Sequence, residues 1–311
     1  MRAVRATAEG IRVVDVPSPT GDGIVVRPGS VGICGSDLHV IGFGPSDVTI
    51  GHEIGATHEG RPVAIQPFAF CGECGNCARG NHHLCVNGAR ALYGVARDGG
   101  MADELLVDPR CIVELPPGVD LSVAALIEPI AVAVHAVNLA ALEPGMRVAV
   151  IGAGSIGQVT AAVARTHGVE VDIATRHDVQ AACAERLGLR VGMTKGYDVV
   201  FDAAGSDSSL AAAIRAVRGA GTVVIPGVYW GDVSLPGMLM GMKEARLLPA
   251  MMYGLHDGMR ETEIAARILG DLPDLPAALV THRFPLERAA EAFRVAADRR
   301  AGAIKVMIDV T

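Results

Sequence analysis

Cys71, Cys74, Cys77 and Cys85 fall in one short run, CGECGNCARGNHHLC. No other feature restricts the fold as sharply, because four thiolates this close together can wrap a single ion. A tetrahedral zinc takes four sulfurs at about 2.3 Å, and the interspersed glycines let the backbone turn tightly enough to supply them. A four-sulfur shell leaves no position for water, so such an ion holds structure and performs no chemistry. Two disulfides, or free thiols that merely cluster, would use the same residues, but the rest of the chain has an intracellular character.

Three cysteines remain. Cys111 and Cys183 lie in the apolar contexts PRCIVEL and AACAERL and are expected to pack as small hydrophobes. Cys34 is taken up below. The net charge of −7 over 311 residues argues against a nucleic-acid surface. The opening MRAVRATAEGIRVVDVP lacks the apolar core of a signal peptide. The most apolar stretch, Leu121 to Leu142, is interrupted by Glu128, Pro129 and His135 and makes a poor membrane span. The expectation is a soluble cytoplasmic protein with no nucleic-acid and no membrane partner.

The length suggests two domains. Up to about residue 120 the chain is rich in Gly and Pro with short β-type runs such as GIVVRP and RPVAIQP, which reads as an irregular β domain. From about 132 apolar strands alternate with helices. VAVIGAG opens a glycine turn and an Ala-rich helix; VEVDIAT, YDVVFDAAG and GTVVIPGV follow as strands, with AACAERLG and SSLAAAIRAVRG as helices. That alternation means a parallel, doubly wound α/β sheet. The expected division is 1–131 with 250–311 for the first domain and 132–249 for the second.

Gly152, Gly154 and Gly157 form G-x-G-x-x-G between the strand 148–151 and a helix, with Ser155 and Ile156 inside the turn. The first glycine allows the turn, the second lets backbone approach a pyrophosphate, and the third lets helix and strand pack. The helix N-terminus then offers free N–H groups to the phosphates. An acid for the ribose is expected at the end of the next strand, yet Thr175, Arg176 and His177 stand there. A guanidinium suits a 2′-phosphate, so NADP is favoured over NAD. In the other reading Arg176 is a solvated loop residue and Asp178 holds the ribose.

A second metal site is suggested by Cys34 in CGSDLH and by His52 and Glu53 in GHE. Thiolate, imidazole and carboxylate are all zinc ligands, and three protein ligands with one open position define a catalytic zinc. Glu128 interrupts an apolar run where an unpaired carboxylate is costly. It is a further candidate ligand, or else an acid at a helix start.

Taken in order, the MRAV strand, CGSDLH, GHE, the cysteine lobe, IEP, GAGSIG, HRFPLERAAEAF and GAIKV resemble a zinc-dependent medium-chain alcohol dehydrogenase of the polyol and threonine dehydrogenase branch, over nearly the whole chain. The resemblance implies a GroES-like catalytic domain joined to a Rossmann domain. It gives Cys34 and His52 as ligands of a catalytic zinc, and Glu53 as a carboxylate that binds the metal or exchanges with water. Glu128 stands where the polyol branch places a glutamate ligand. Ser36 becomes the hydroxyl on the substrate oxygen, His39 the outer end of a proton relay, and Asp37 the carboxylate that orients the ligand histidine. It also puts Lys305, in GAIKV, at the cofactor.

The activity implied is hydride transfer between a secondary alcohol, such as a polyol, sugar or cyclitol, or its ketone and NAD(P), in the cleft between the domains. Two zincs per subunit and a homodimer or homotetramer built through the sheet edge near GTVVIPGV are expected. A catalytically silent relative should have lost Cys34, His52 or Ser36, and a zinc-free quinone or enoyl reductase would lack the ligands; all are present here. Three stretches are shorter than in relatives: His39 to His52, Glu53 to RPVAIQP, and AERLG to YDVVF.

Overall fold

The computed structural model describes residues 1–88 and 92–310. Two compact units emerge, Met1–Glu128 with Gly254–Thr311, and Pro129–Tyr253. The sequence placed the first break at 131/132. It falls instead inside the helix Ile127–Ala140, where no change of composition marks it. Pro129 is tolerated there because the first helical turn has no intrahelical donors to lose.

The first unit is built on one sheet. Its strands run in the order Val280–Pro285, Lys305–Asp309, Ile24–Ile33, Glu53–His58, Arg61–Ile65, Ile112–Glu114, with Leu105–Val107 pairing the start of Ile24–Ile33. All pairs are antiparallel except Val280–Pro285 with Lys305–Asp309. The long strand bends at a register shift between Pro28 and Ser30, which is where a proline is tolerated within a sheet. Its far end sets the geometry of the site: Gly32 lies opposite Glu53 on one side and opposite Met307 on the other. Val26, Val31, Ile54, Leu105, Phe293 and Ile308 belong to the core against this sheet. The shortening after Glu53 has a simple form. His58 pairs with Arg61, so Glu59 and Gly60 make a two-residue hairpin. Positive φ at both, 49° and 76°, is the turn whose twist matches the strands it joins.

The second unit holds a six-stranded parallel sheet. The spatial order is Arg190–Val191, Glu170–Ala174, Arg147–Ile151, Tyr197–Asp202, Val217–Ile225, Arg246–Pro249. Numbered along the chain this is 3-2-1-4-5-6, the doubly wound dinucleotide-binding order. The third and sixth strands are short and escape sequence reading. The shortening before Tyr197 removes the helix that usually carries the chain from strand 3 to strand 4. Residues 192–196 alone make the crossing. Three strand spacings are about 14 Å, and six residue steps reach at most about 20 Å, so the loop has room only for a direct path. Arg147 holds it from strand 1, donating to the carbonyls of Lys195 and Gly196 and to Thr194.

Cys111 and Cys183 are both buried, as small hydrophobes would be, and burial pushes their thiols up to about 12 and about 11. Among the described residues no helix is long and apolar enough to cross a membrane. The stretch 121–142 is broken into Leu121–Ala124 and Ile127–Ala140.

Candidate functional site

The CGSDLH motif folds into the short helix Gly35–Val40 with Cys34 as its N-cap. Asp37 is buried in its first turn and bridges two elements. Its Oδ2 accepts from the backbone N–H of Cys34 at 2.9 Å, and its Oδ1 lies 2.9 Å from Nδ1 of His52. The second approach lies off the line of a good hydrogen bond, so the link to the ring is mainly electrostatic. With Nδ1 engaged, Nε2 of His52 turns toward the Ser36 hydroxyl, 3.4 Å away. Burial works against the imidazolium of His52, but Asp37 and Cys34 outweigh it and hold the pKa well above the ordinary histidine value. A metal ligand must be deprotonated, so an ion entering here releases that proton.

Donor atoms of Cys34, His52 and Glu53 all lie within 4.8 Å of one another. One sulfur, one ring nitrogen and one carboxylate oxygen at that spacing suit a single tetrahedral zinc with a position to spare. Glu128 is not in that group. It is half-buried at the start of Ile127–Ala140, near enough for its charge to act on Lys305. His39 is exposed, and its Nδ1 bonds the carbonyl of Gly35 at 2.9 Å, which places the proton on Nδ1.

Glu53 carries a partner that sequence reasoning missed. Lys305, expected at the cofactor, has its ammonium 2.6 and 2.7 Å from the two oxygens of Glu53 and 3.3 Å from the carbonyl of Ile33. Glu53 is fully buried and Lys305 is 2% exposed. The correction has a physical reason: two opposite charges withdrawn from water must neutralise each other. Gly32 makes the pair possible, since a Cβ there would lie 1.8 Å from Oε2 of Glu53. A lysine in the apolar strand AIKVMIDV was the available signal, and its partner is readable only once the pairing of Ile24–Ile33 with Lys305–Asp309 and with Glu53–His58 is known.

The four-cysteine lobe fits a zinc closely. The Sγ atoms of Cys74 and Cys77 are 3.5 Å apart, those of Cys71 and Cys85 3.6 Å, and those of Cys71 and Cys77 3.8 Å. A regular tetrahedron with zinc–sulfur bonds of about 2.3 Å has edges of about 3.8 Å. A disulfide needs about 2.05 Å, and all seven cysteines are free. Backbone N–H groups of Cys77 and Val86 lower the Cys74 thiol to about 6, while burial raises Cys77 to about 12. A bound cation deprotonates such a coordinating thiol outright. The lobe is anchored by Leu255, whose N–H donates to the carbonyl of Gly80 at 2.8 Å, and by Phe70 stacked on His82 at 3.7 Å.

In the second unit the helix Ser155–Arg165 follows the strand Arg147–Ile151 through the glycine turn. Gly152 has φ +97°, and a Cβ on Gly157 would lie 1.7 Å from the carbonyl oxygen of Gly152. Gly154, the N-cap, has open space where its Cβ would be. That is the cradle a pyrophosphate requires, with Ser155 and Ile156 opening the helix beside it. Thr175, Arg176 and His177 follow the strand Glu170–Ala174, with Arg176 and His177 exposed. Asp172 does not serve the ribose. It is buried, accepting from Tyr197 at 2.6 Å and Arg190 at 2.7 Å.

Two family models match the chain, an alcohol dehydrogenase GroES-like domain over residues 20–117 and a zinc-binding dehydrogenase over residues 132–267. An L-threonine 3-dehydrogenase of Saccharopolyspora erythraea is 30% identical over 100% of this chain and 99% of its own. An L-galactonate-5-dehydrogenase of Escherichia coli is 29% identical over 90% of this chain and 89% of its own. The crystal structure of L-idonate 5-dehydrogenase from Escherichia coli superposes with a TM-score of 0.87 at 27% identity, covering 99% of this chain and 97% of that one. With a GroES-like unit, a Rossmann unit and these relatives, the chain belongs to the zinc-dependent medium-chain alcohol dehydrogenase family, the oxidoreductases that exchange a hydride between a secondary alcohol or its ketone and NAD(P).

Proposed function

We propose that the chain oxidises a polyol, sugar or cyclitol-like secondary alcohol, or reduces its ketone, at a centre held by Cys34 and His52, with NADP as its preferred cofactor. One observation carries the reading: Asp37 accepts from the backbone N–H of Cys34 and sets its charge 2.9 Å from the ring of His52, and thiol, imidazole and the Ser36 hydroxyl converge. When bound, zinc supplies a Lewis acid for the substrate oxygen and the nicotinamide supplies or takes the hydride. The chain's own residues do the rest. Ser36 Oγ receives the proton of the substrate hydroxyl and passes it outward, with His39 as the exposed group that exchanges it with solvent. Asp37 keeps the Nε2 face of His52 toward the ion. Glu53 is a carboxylate held in reserve by Lys305, and Glu128 a second one nearby. Neither a silent relative nor a metal-free reductase would need this donor set.

Relatives named for oxidation at the 5-position of sugar acids support a hydroxylated chain as substrate. Arg176 beside Thr175, with no carboxylate ending the strand Glu170–Ala174, supports a 2′-phosphate on the cofactor. The two donor sets support two zincs per subunit. The strand Arg246–Pro249 at the sheet edge, with Met238 and Met242 highly exposed before it, supports a homodimer or homotetramer assembled there. Seven free thiols suit the cytoplasm.

The test is a panel of polyols, sugar acids and cyclitols offered with NADP and NAD, with zinc counted per chain, in the wild type and in His52→Ala. The expected result is two zincs and turnover in the wild type, with NADP preferred, and one zinc and no turnover in the variant. Full turnover by His52→Ala would overturn the assignment.

A further inference from the structure

In the second unit the winding reverses between Arg147–Ile151 and Tyr197–Asp202, which are neighbours in the sheet. Ligands of doubly wound sheets sit beyond the carboxyl ends of the strands at that reversal. Two turns meet there, the glycine turn 152–157 and the turn 202–205. A Cβ on Gly152 would lie 2.8 Å from both the N and the Cβ of Ala204, so the first turn rests directly on the second.

The second turn has an anchor of its own. Asp202 is fully buried. Its Oδ2 accepts from the Tyr229 hydroxyl at 2.5 Å and from Ser209 Oγ at 3.1 Å, and its Oδ1 accepts from the N–H of Ala204 at 3.1 Å. Tyr229 comes from the loop that follows Val217–Ile225. The backbone of that loop grips the same turn: the N–H of Gly227 donates to the carbonyl of Asp202 at 3.0 Å, and a Cβ on Gly205 would lie 2.4 Å from the carbonyl oxygen of Val228. Burial and the Asp202 carboxylate hold the phenol well above its ordinary value, so it stays a donor. Farther along, Ser234 N–H reaches Asp207 at 3.2 Å.

We propose that Tyr229 is a positioning residue for the nicotinamide cofactor. Its hydroxyl, through Asp202, fixes the turn that supports Gly152 and holds the loop 227–234 as a wall of the site on the side of strands 4 and 5. Tyr229 itself touches neither cofactor nor substrate. The assignment rests on reading the Gly152 turn as the dinucleotide site.

Trp230, next in the loop and half-exposed, is the only tryptophan of the chain. Energy transfer from it to bound NADPH therefore reports binding directly. Tyr229→Phe keeps the ring and removes the hydroxyl, and Asp202→Asn removes the charge at the other end of the same bond. In each, the NADPH Kd and the cofactor KM should rise about tenfold, the range of a hydrogen bond to a charged group only partly felt by the ligand. The alcohol KM should move less than twofold. The double variant should be no worse than Asp202→Asn alone, since the bond that Tyr229→Phe removes is already disrupted there. An NADPH Kd within twofold of wild type in both variants would overturn the proposal, whatever their melting temperatures. Absence of NADPH binding by the wild type would overturn the dinucleotide reading itself, and the assignment with it.

Discussion

Replacing Lys305 by methionine isolates the most consequential pair in the first unit. The side chain keeps its length and loses its charge, leaving Glu53 fully buried without the partner now 2.6 Å away. At that distance, with an effective dielectric of 20, the attraction is about 6 kcal/mol. Much of it is offset by withdrawing both ions from water. Deleting one partner removes the attraction and retains the other's desolvation, a loss of about 3–5 kcal/mol. The strands Ile24–Ile33 and Lys305–Asp309 flank the pair, so their amide hydrogen exchange is the direct readout. At 1.4 kcal/mol per tenfold, protection should fall by about a hundred- to a few-thousand-fold. The double variant Glu53→Gln with Lys305→Met should recover part of the loss, because no charge remains buried. Burial lowers the Lys305 pKa, but Glu53 outweighs it and the net shift is upward. A lysine raised in the folded state stabilises fully below its unfolded value of 10.5 and loses that contribution as pH rises through the folded value. Wild-type protection should therefore fall above about pH 10.5, and the variant should lack that step. Protection within threefold of wild type in Lys305→Met would mean that Glu53 does not depend on Lys305 for its burial.

Gly32→Ala forces a methyl against the Glu53 carboxylate from a strand held on both sides, and should cost about 1–3 kcal/mol; an unchanged melting temperature by calorimetry would contradict the close approach at 1.8 Å. Cys77→Ser, at a sulfur within 3.8 Å of two others in the lobe, should remove one zinc per chain by elemental analysis and leave the other in place. Retention of both would mean the four sulfurs do not share an ion.

What could be read from sequence was what lies close together in sequence. The four cysteines, the glycine turn and CGSDLH each form within a few residues, so spacing alone carries their geometry. His52 and Glu53 could be grouped with Cys34 as candidate ligands because each is a metal-binding type on the same unit. The charge balance of the site was not legible. Glu53 and Lys305 meet only through the pairing of three strands, and a lone lysine in an apolar strand reads equally well as a surface residue whose stem is covered. Asp202 and Tyr229 are hidden for the same reason: an acid ending the strand Tyr197–Asp202 and a tyrosine in a loop have no common pattern until the sheet brings them together. The strand Arg246–Pro249 escaped notice because its residues alternate with neither period and are only partly buried.

The interior place of Lys305–Asp309 in the first sheet, between Val280–Pro285 and Ile24–Ile33, also orders events on the ribosome. Pro129–Tyr253 is contiguous and can close as soon as it emerges, but the earlier segment lacks an interior strand of its sheet until Lys305–Asp309 is made. At 5–20 residues per second, the interval from Gly254 to Asp309 is on the order of 3–11 s. Throughout it the Glu53 carboxylate has no counter-ion and the Cys34 thiol has no finished sheet behind it. Nascent chains thus pass through a stage with one finished half and one half open to chaperones and to whichever metal arrives first.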